Sequence, residues 1–168
     1  QSERYLGQRG INLMATCTPY QVGNVPVKGE HCAWMESSAV IYCNSVLGAR
    51  TNVEGKESTG AAALTGRIPY WGFHMPENRF GTHLIELDLE VDDMMDWGLL
   101  GYFIGYAVEE DIPVLKGLSH QPNLIKLKHF GAAAASSGGV EMYHVPGVTP
   151  EAGSIEEAFG PRRARETI

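Results

Sequence analysis

Apolar and polar residues follow one another along this chain in two distinct rhythms. Residues 82–91, THLIELDLEV, set Leu and Ile largely against His, Glu and Asp, the period of two expected of a half-buried strand. Asp92 and Asp93 then precede an apolar stretch that predicts a helix through 107, since acidic residues complement the dipole of a helix N-terminus. Residues 112–115 predict a second strand. Pro122, suited to a first helical turn, introduces a helix over 124–135. Residues 140–145 are a further strand candidate, and Thr149-Pro150-Glu151 opens a last short helix.

Upstream, the apolar run 11–16 predicts a strand that stops at Cys17-Thr18-Pro19, because proline biases Thr18 toward an extended conformation. Cys17 is thereby placed at a strand-to-loop junction. Residues 32–47 are apolar nearly all round and end at Gly48, which predicts a buried helix with a glycine cap. Residues 55–66 are small and read as flexible, and 67–75, with Ile68, Tyr70, Trp71 and Phe73, as an aromatic strand. Strands that alternate with helices predict an α/β fold, a layered sheet with flanking helices. There is no internal repeat and no linker, so 1–168 reads as a single α/β segment.

Composition narrows the function classes. With 43% hydrophobic and 20% charged residues the chain is neither disordered nor membrane-embedded. A net charge of −7 argues against a nucleic-acid or anionic-membrane surface. Three cysteines, an odd number crowded into the first third, do not make a disulfide framework and read as reduced thiols of a cytoplasmic protein. The chain begins Gln1-Ser2-Glu3, without Met or an apolar leader, and reads as a piece of a longer polypeptide.

Candidate chemistry gathers in four places. On a continuous helix Cys32, Glu36 and Cys43 share a face, but eleven residues rise about 16 Å, so both thiols cannot hold one small metal centre. They read as small core residues, whereas Cys17 on its proline-flanked loop is a metal ligand or a reactive thiol. Glu36, Ser37, Ser38, Asn44, Ser45, Arg50, Thr51 and Asn52 form a polar cluster within and just beyond the apolar helix. Such a cluster is an internal network or a ligand site. Arg50 either forks onto a carboxylate or phosphate or bonds the last helix carbonyls. Arg67, His74, Glu77, Asn78 and Arg79 form the third group, a setting for acid–base work. The small-residue tract 131–139 is an anion cradle or a close helix contact; it lacks the Lys-Ser/Thr of a P-loop, and no paired Cys/His zinc pattern is present.

The string TCTPYQVGNVPVKGEHCAWMESSAVIYCNSVLGARTNVEG, followed by ALTGRIPYWGFHMPENR, AAASSGG and HVPGVTPEA, resembles the catalytic large portion of aconitase X. This is a branch of the aconitase superfamily of iron-dependent hydro-lyases. The resemblance covers nearly the whole chain, and implies an aconitase-like fold within a longer catalytic chain that works with a small swivelling portion, fused or as a separate subunit. It implies a dehydratase of a small hydroxy acid, cis-3-hydroxy-L-proline first and phosphomevalonate as the alternative, with iron or an iron–sulfur cluster as cofactor. Under it Cys17 holds the metal, with its fellow ligands mostly outside this sequence, and Cys32 and Cys43 stay unassigned. Arg50 and Arg67 clamp the substrate carboxylate, Ser38, Asn44 and Asn52 supply hydrogen bonds, and His74, Glu36 and Ser37 are the catalytic candidates. Two other classes remain open: a metal-free module that binds a small acid, and a cysteine-nucleophile enzyme using Cys17 with His74.

Overall fold

A computed structural model describes residues 1–14 and 16–168. Two βαβ-like units make up most of it. In the first, parallel bridges join His31 to Arg50 and Trp34 to Val53. The crossover between them is helix α2 (Ser37–Tyr42), which continues as a wide π turn (Cys43–Leu47) and ends at Gly48 with φ 66°. In the second, β1 (His83–Glu86) runs parallel to β2 (Pro113–Lys116), with α4 (Met94–Val108) between them. Parallel neighbours need a crossover of this kind. A short β3 (Glu166–Thr167) pairs with the other edge of β1, giving the order β2-β1-β3. Helix α5 (Leu124–Gly138) packs along α4, while α1 (Ser2–Gly7), α3 (Lys56–Thr65) and α6 (Ile155–Phe159) complete the chain. The fold is mixed α/β, with a small parallel sheet and flanking helices.

The main core lies where α2, α4 and α5 meet β1 and β2. Trp97 on α4 stands edge-on to Phe130 on α5, and Phe130 stands edge-on to Tyr143, with ring centroids 6.2 and 4.9 Å apart. Glycines allow the two long helices to touch. A Cβ on Gly105 would come within 2.8 Å of the Ala134 Cα, and one on Gly101 within 3.1 Å of the Phe130 carbonyl carbon. The tract 131–139 is thus the small-residue side of a close helix contact rather than an anion cradle.

Side-chain caps set several helix starts, as the sequence patterns imply. Asp93 accepts from the Asp96 amide and Asn123 from those of Ile125 and Lys126. Other boundaries differ from the sequence reading. The helix expected over 32–47 begins only at Ser37, because Glu36 accepts from the Ala39 amide as its N-cap while Trp34 is drawn into extended pairing. Residues 55–66 contain α3. The strand expected over 67–75 is a pair of tight turns, Gly72–His74 and Pro76–Asn78. Pro69 and Pro76 lack a ladder donor, Gly72 has φ 62°, and the Asn52 side chain satisfies the backbone instead. The strand expected over 140–145 shrinks to one bridge at His144, and the last helix starts only at Ile155, after Ser154, whose hydroxyl caps it. No strand forms among the described residues of 11–16, and Ala15 lies outside them.

Candidate functional site

The first parallel unit brings the residues before α2 alongside those after it. Residues paired across such a ladder project to one face, so His31 and Arg50 are neighbours. His31 is exposed, and its Nδ1 lies 2.9 Å from Nδ1 of His74. His74 is only 3% exposed. Its Nε2 lies 4.0 Å from Oε1 of Glu54, and the Arg50 Nη1 donates to its carbonyl at 3.1 Å. Among the described residues, His74 Nε2, Glu54 Oε1 and Arg50 Nε are buried without a hydrogen-bond partner. Buried polar atoms are rarely left so, and three in one neighbourhood single this out as the candidate site.

Both imidazoles are held below their ordinary range. For His31, exposed overall, the cause is partial desolvation of its ring, then the Arg50 and Arg79 guanidiniums. For His74 it is burial, then His31, with Glu54 pulling the other way and Arg79 and Arg50 adding to the depression. Two neutral rings therefore sit beside an arginine with a spare donor. That arrangement suits an anionic ligand at Arg50 and proton transfer at a ring nitrogen.

The polar cluster divides between this site and the framework beneath it. Asn44 is framework: its Nδ2 donates to the carbonyls of Thr51 and Glu141, and its Oδ1 accepts from the Thr51 amide and from Arg79. Asn52 holds the turn below the site, accepting from the Phe73 amide at 2.7 Å. Glu36 caps α2 and accepts from the Ser38 hydroxyl, while Ser37 is exposed in the first turn. Arg67 is exposed beyond α3, and its side chain makes no hydrogen bond to the described residues. Arg79 is buried, donating to both carboxylate oxygens of Glu151 and to the carbonyls of Asn44, Ala49 and Phe73. His31 and Glu54 are the site members that sequence reasoning missed. Only the register of the parallel bridges reveals them, and no local pattern encodes pairing across nineteen residues.

The cysteines also separate. Cys32 lies on the extended segment before α2, not on the helix, and its Sγ is 3.4 Å from that of Cys43. The helical rise expected to part these thiols does not apply. The Cys32 contact and burial push the Cys43 thiol far up, so it is a protonated core group. Cys17 is exposed and shares no hydrogen bond with His74. It lies on the side of the molecule where Tyr20 stacks on Tyr42 with centroids 4.0 Å apart. Burial, then the charges of Tyr42, Glu36 and Cys17, push the Tyr20 hydroxyl up to about 12. Among the described residues, no group of three or more His, Cys, Asp or Glu side chains is placed to hold a metal ion. The residues described here do not form an iron or iron–sulfur centre by themselves.

Comparison with known proteins gives the same picture from sequence and from structure. Residues 1–77 match the family description "Aconitase X first domain" and residues 81–168 match "Aconitase X second domain". The chain is 52% identical to the phosphomevalonate dehydratase large subunit of Methanothermobacter thermautotrophicus over 136 residues, which cover 81% of this chain and 34% of that protein. It is 44% identical to the cis-3-hydroxy-L-proline dehydratase of Pseudomonas aeruginosa over 161 residues, 95% of this chain and 28% of that protein. The crystal structure of Thermococcus kodakaraensis aconitase X in its holo-form superposes with a TM-score of 0.86 at 43% identity, over 95% of this chain and 40% of that one. The chain thus spans about a third of the length of the relatives it matches. Two family domains in order, relatives above 40% identity and a shared fold together establish that the chain belongs to the aconitase X family.

Proposed function

We propose that this chain is part of the catalytic large portion of a dehydratase that removes water from a small hydroxy acid. The carrying observation is the half-buried Arg50, whose Nε has no partner among the described residues, beside two neutral imidazoles. The substrates named for the two kinds of relative, phosphomevalonate and cis-3-hydroxy-L-proline, share one feature. Each is a carboxylate with a hydroxyl on the second carbon from it. Dehydration removes a proton from the carbon between them, so the site must anchor a carboxylate and accept a proton. Arg50 is the anchor in this reading. Cis-3-hydroxy-L-proline is the substrate expected from the sequence; the higher identity to the phosphomevalonate enzymes favours phosphomevalonate as a second reading.

Arg67, exposed and just upstream of His74 in sequence, is a second carboxylate or phosphate contact. Ser37 and Ser38, at the start of α2, and Glu36 between them and Tyr20 complete the proposed substrate side, with Asn44 and Asn52 acting from beneath. Cys17 supplies one ligand to an iron or iron–sulfur cofactor whose other ligands lie outside this chain, and a small swivelling portion of the enzyme closes over the site. The test is iron and acid-labile sulfide in the complete, anaerobically purified enzyme and in its Cys17→Ser variant, with dehydration of both acids assayed in parallel. Iron lost from the variant supports the cofactor assignment, and iron retained at full occupancy removes Cys17 from it. Arg50→Lys is expected to raise KM by about tenfold or more, because a two-pronged donor becomes a point charge. Unchanged KM and kcat would remove Arg50 from the site.

A further inference from the structure

We propose that His31 is the proton-accepting residue of this site, and that His74 and Glu54 are positioning residues that fix its ring in the required tautomer. The inference deepens the dehydratase reading and rests on it. A neutral imidazole carries one N–H and one lone pair. The 2.9 Å contact between the two Nδ1 atoms needs an N–H on one ring and a lone pair on the other, which leaves two arrangements. If His74 donated through Nδ1, its Nε2 lone pair would face the Glu54 carboxylate oxygen 4.0 Å away, in a buried setting where neither atom has another partner among the described residues. Two electron-rich atoms would then oppose each other without screening.

The other arrangement removes that conflict. His74 turns its Nε2–H toward Glu54 and accepts at Nδ1, so His31 donates through Nδ1–H. The His31 Nε2 is then a lone pair on the exposed side of the pair. This is the logic by which a carboxylate fixes the tautomer of a catalytic histidine, here with a second imidazole at the end of the relay. The charged groups facing the rings agree with it. Arg50 and Arg79 act on both and favour the neutral forms, and among the described residues Glu54 is the carboxylate that acts on His74.

Arg50 is the bridge partner of His31, so the two side chains leave the same face. In the proposed complex a carboxylate is anchored on the Arg50 guanidinium and its adjoining C–H is turned to His31 Nε2. The proton passes to Nε2. Its bonding pair becomes the new C=C bond as the C–O bond to the hydroxyl breaks, and the departing hydroxide takes a proton from solvent to leave as water. His31 then returns its proton to solvent.

The experiment joins spectroscopy to kinetics in the complete enzyme. Histidine is labelled with 15N, and the imidazole nitrogens are assigned with His31→Gln and His74→Gln. Glu54→Gln, a nearly isosteric change, tests the relay. The expected spectrum shows His31 Nε2 unprotonated in the wild type and a mixture of tautomers in Glu54→Gln. His31→Gln is expected to lower kcat by roughly 10²–10⁴-fold with KM and iron content held near wild type. In Glu54→Gln, kcat falls less and the acid limb of its pH profile moves. A proton found on His31 Nε2, or tautomers indifferent to Glu54→Gln, would overturn the relay even in an active enzyme. A fixed tautomer with undiminished kcat in His31→Gln would overturn the base role alone. A complete enzyme that dehydrates neither acid would instead overturn the proposed function, and the base role with it.

Discussion

Arg79 shows how much one residue can hold when every donor is used. Its side chain is 2% exposed, and the guanidinium spans Glu151, Asn44, Ala49 and Phe73. It lies between the two family domains, which end at residue 77 and begin at residue 81. Buried charges are tolerated only when paired and fully hydrogen-bonded, and this one meets both conditions. Arg79→Met would leave a carboxylate and three carbonyls without a donor, so it is expected to lower the stability of the complete protein by about 3–5 kcal/mol. Urea unfolding at neutral pH measures this; a loss below about 1 kcal/mol would contradict the account. In sequence Arg79 looks no different from Arg67, twelve positions earlier, which is exposed. A residue type and its spacing reveal that an arginine is available, but burial depends on which distant carbonyls converge on it. For the same reason Asn44 and Arg50 were recognisable as polar residues in an apolar setting, whereas their division into framework and site was not.

At the scale of elements, legibility follows from how local the causes are. Helices α4 and α5 announce themselves through caps in their own sequence, and β1 through its alternation. The region 32–47 misleads because its first third pairs with residues 50–53, a tertiary contact that overrides an apolar pattern equally suited to a helix. The 67–75 region misleads because Asn52, far upstream, supplies the hydrogen bonds that a strand partner would. Glycine substitutions test the element picture with opposite signs. A Cβ at Gly60, in α3, would meet nothing within 4 Å, so Gly60→Ala is expected to stabilise by roughly 0.5–1 kcal/mol through helix propensity alone. One at Gly105, in α4, would meet the Ala134 Cα at 2.8 Å and its carbonyl oxygen closer still, so Gly105→Ala is expected to destabilise by about 1–2 kcal/mol, overpacking outweighing the same propensity gain. Thermal unfolding of both variants checks the pair. A stabilised Gly105→Ala would mean that the α4–α5 contact is looser than described.

The whole molecule presents two unlike surfaces. The outer side of α4 exposes Met95, Leu99, Tyr102, Phe103 and Tyr106, while the turn after the first parallel unit buries His74 beneath the exposed His31. Two histidines, His74 and His144, are buried with their pKa values lowered chiefly by burial. The unfolded chain keeps them near 6.5, so just below that pH it binds protons that the folded chain refuses. Stability then rises with pH wherever the unfolded state holds more protons. Their contribution is therefore present in full above about pH 6.5 and is lost as pH falls toward the folded values. Glu141 works against this at lower pH, since burial raises its pKa above 4.5 and the folded state takes up its proton first. The complete protein is expected to show a falling urea midpoint between about pH 7.5 and about pH 5.5, with a shallower fall in His144→Gln. The imidazole of His144 donates only to the Arg79 carbonyl among the described residues, which glutamine also reaches as a neutral donor, so the variant separates titration from lost packing. An unchanged slope in His144→Gln would show that the buried imidazole is not what acid attacks first.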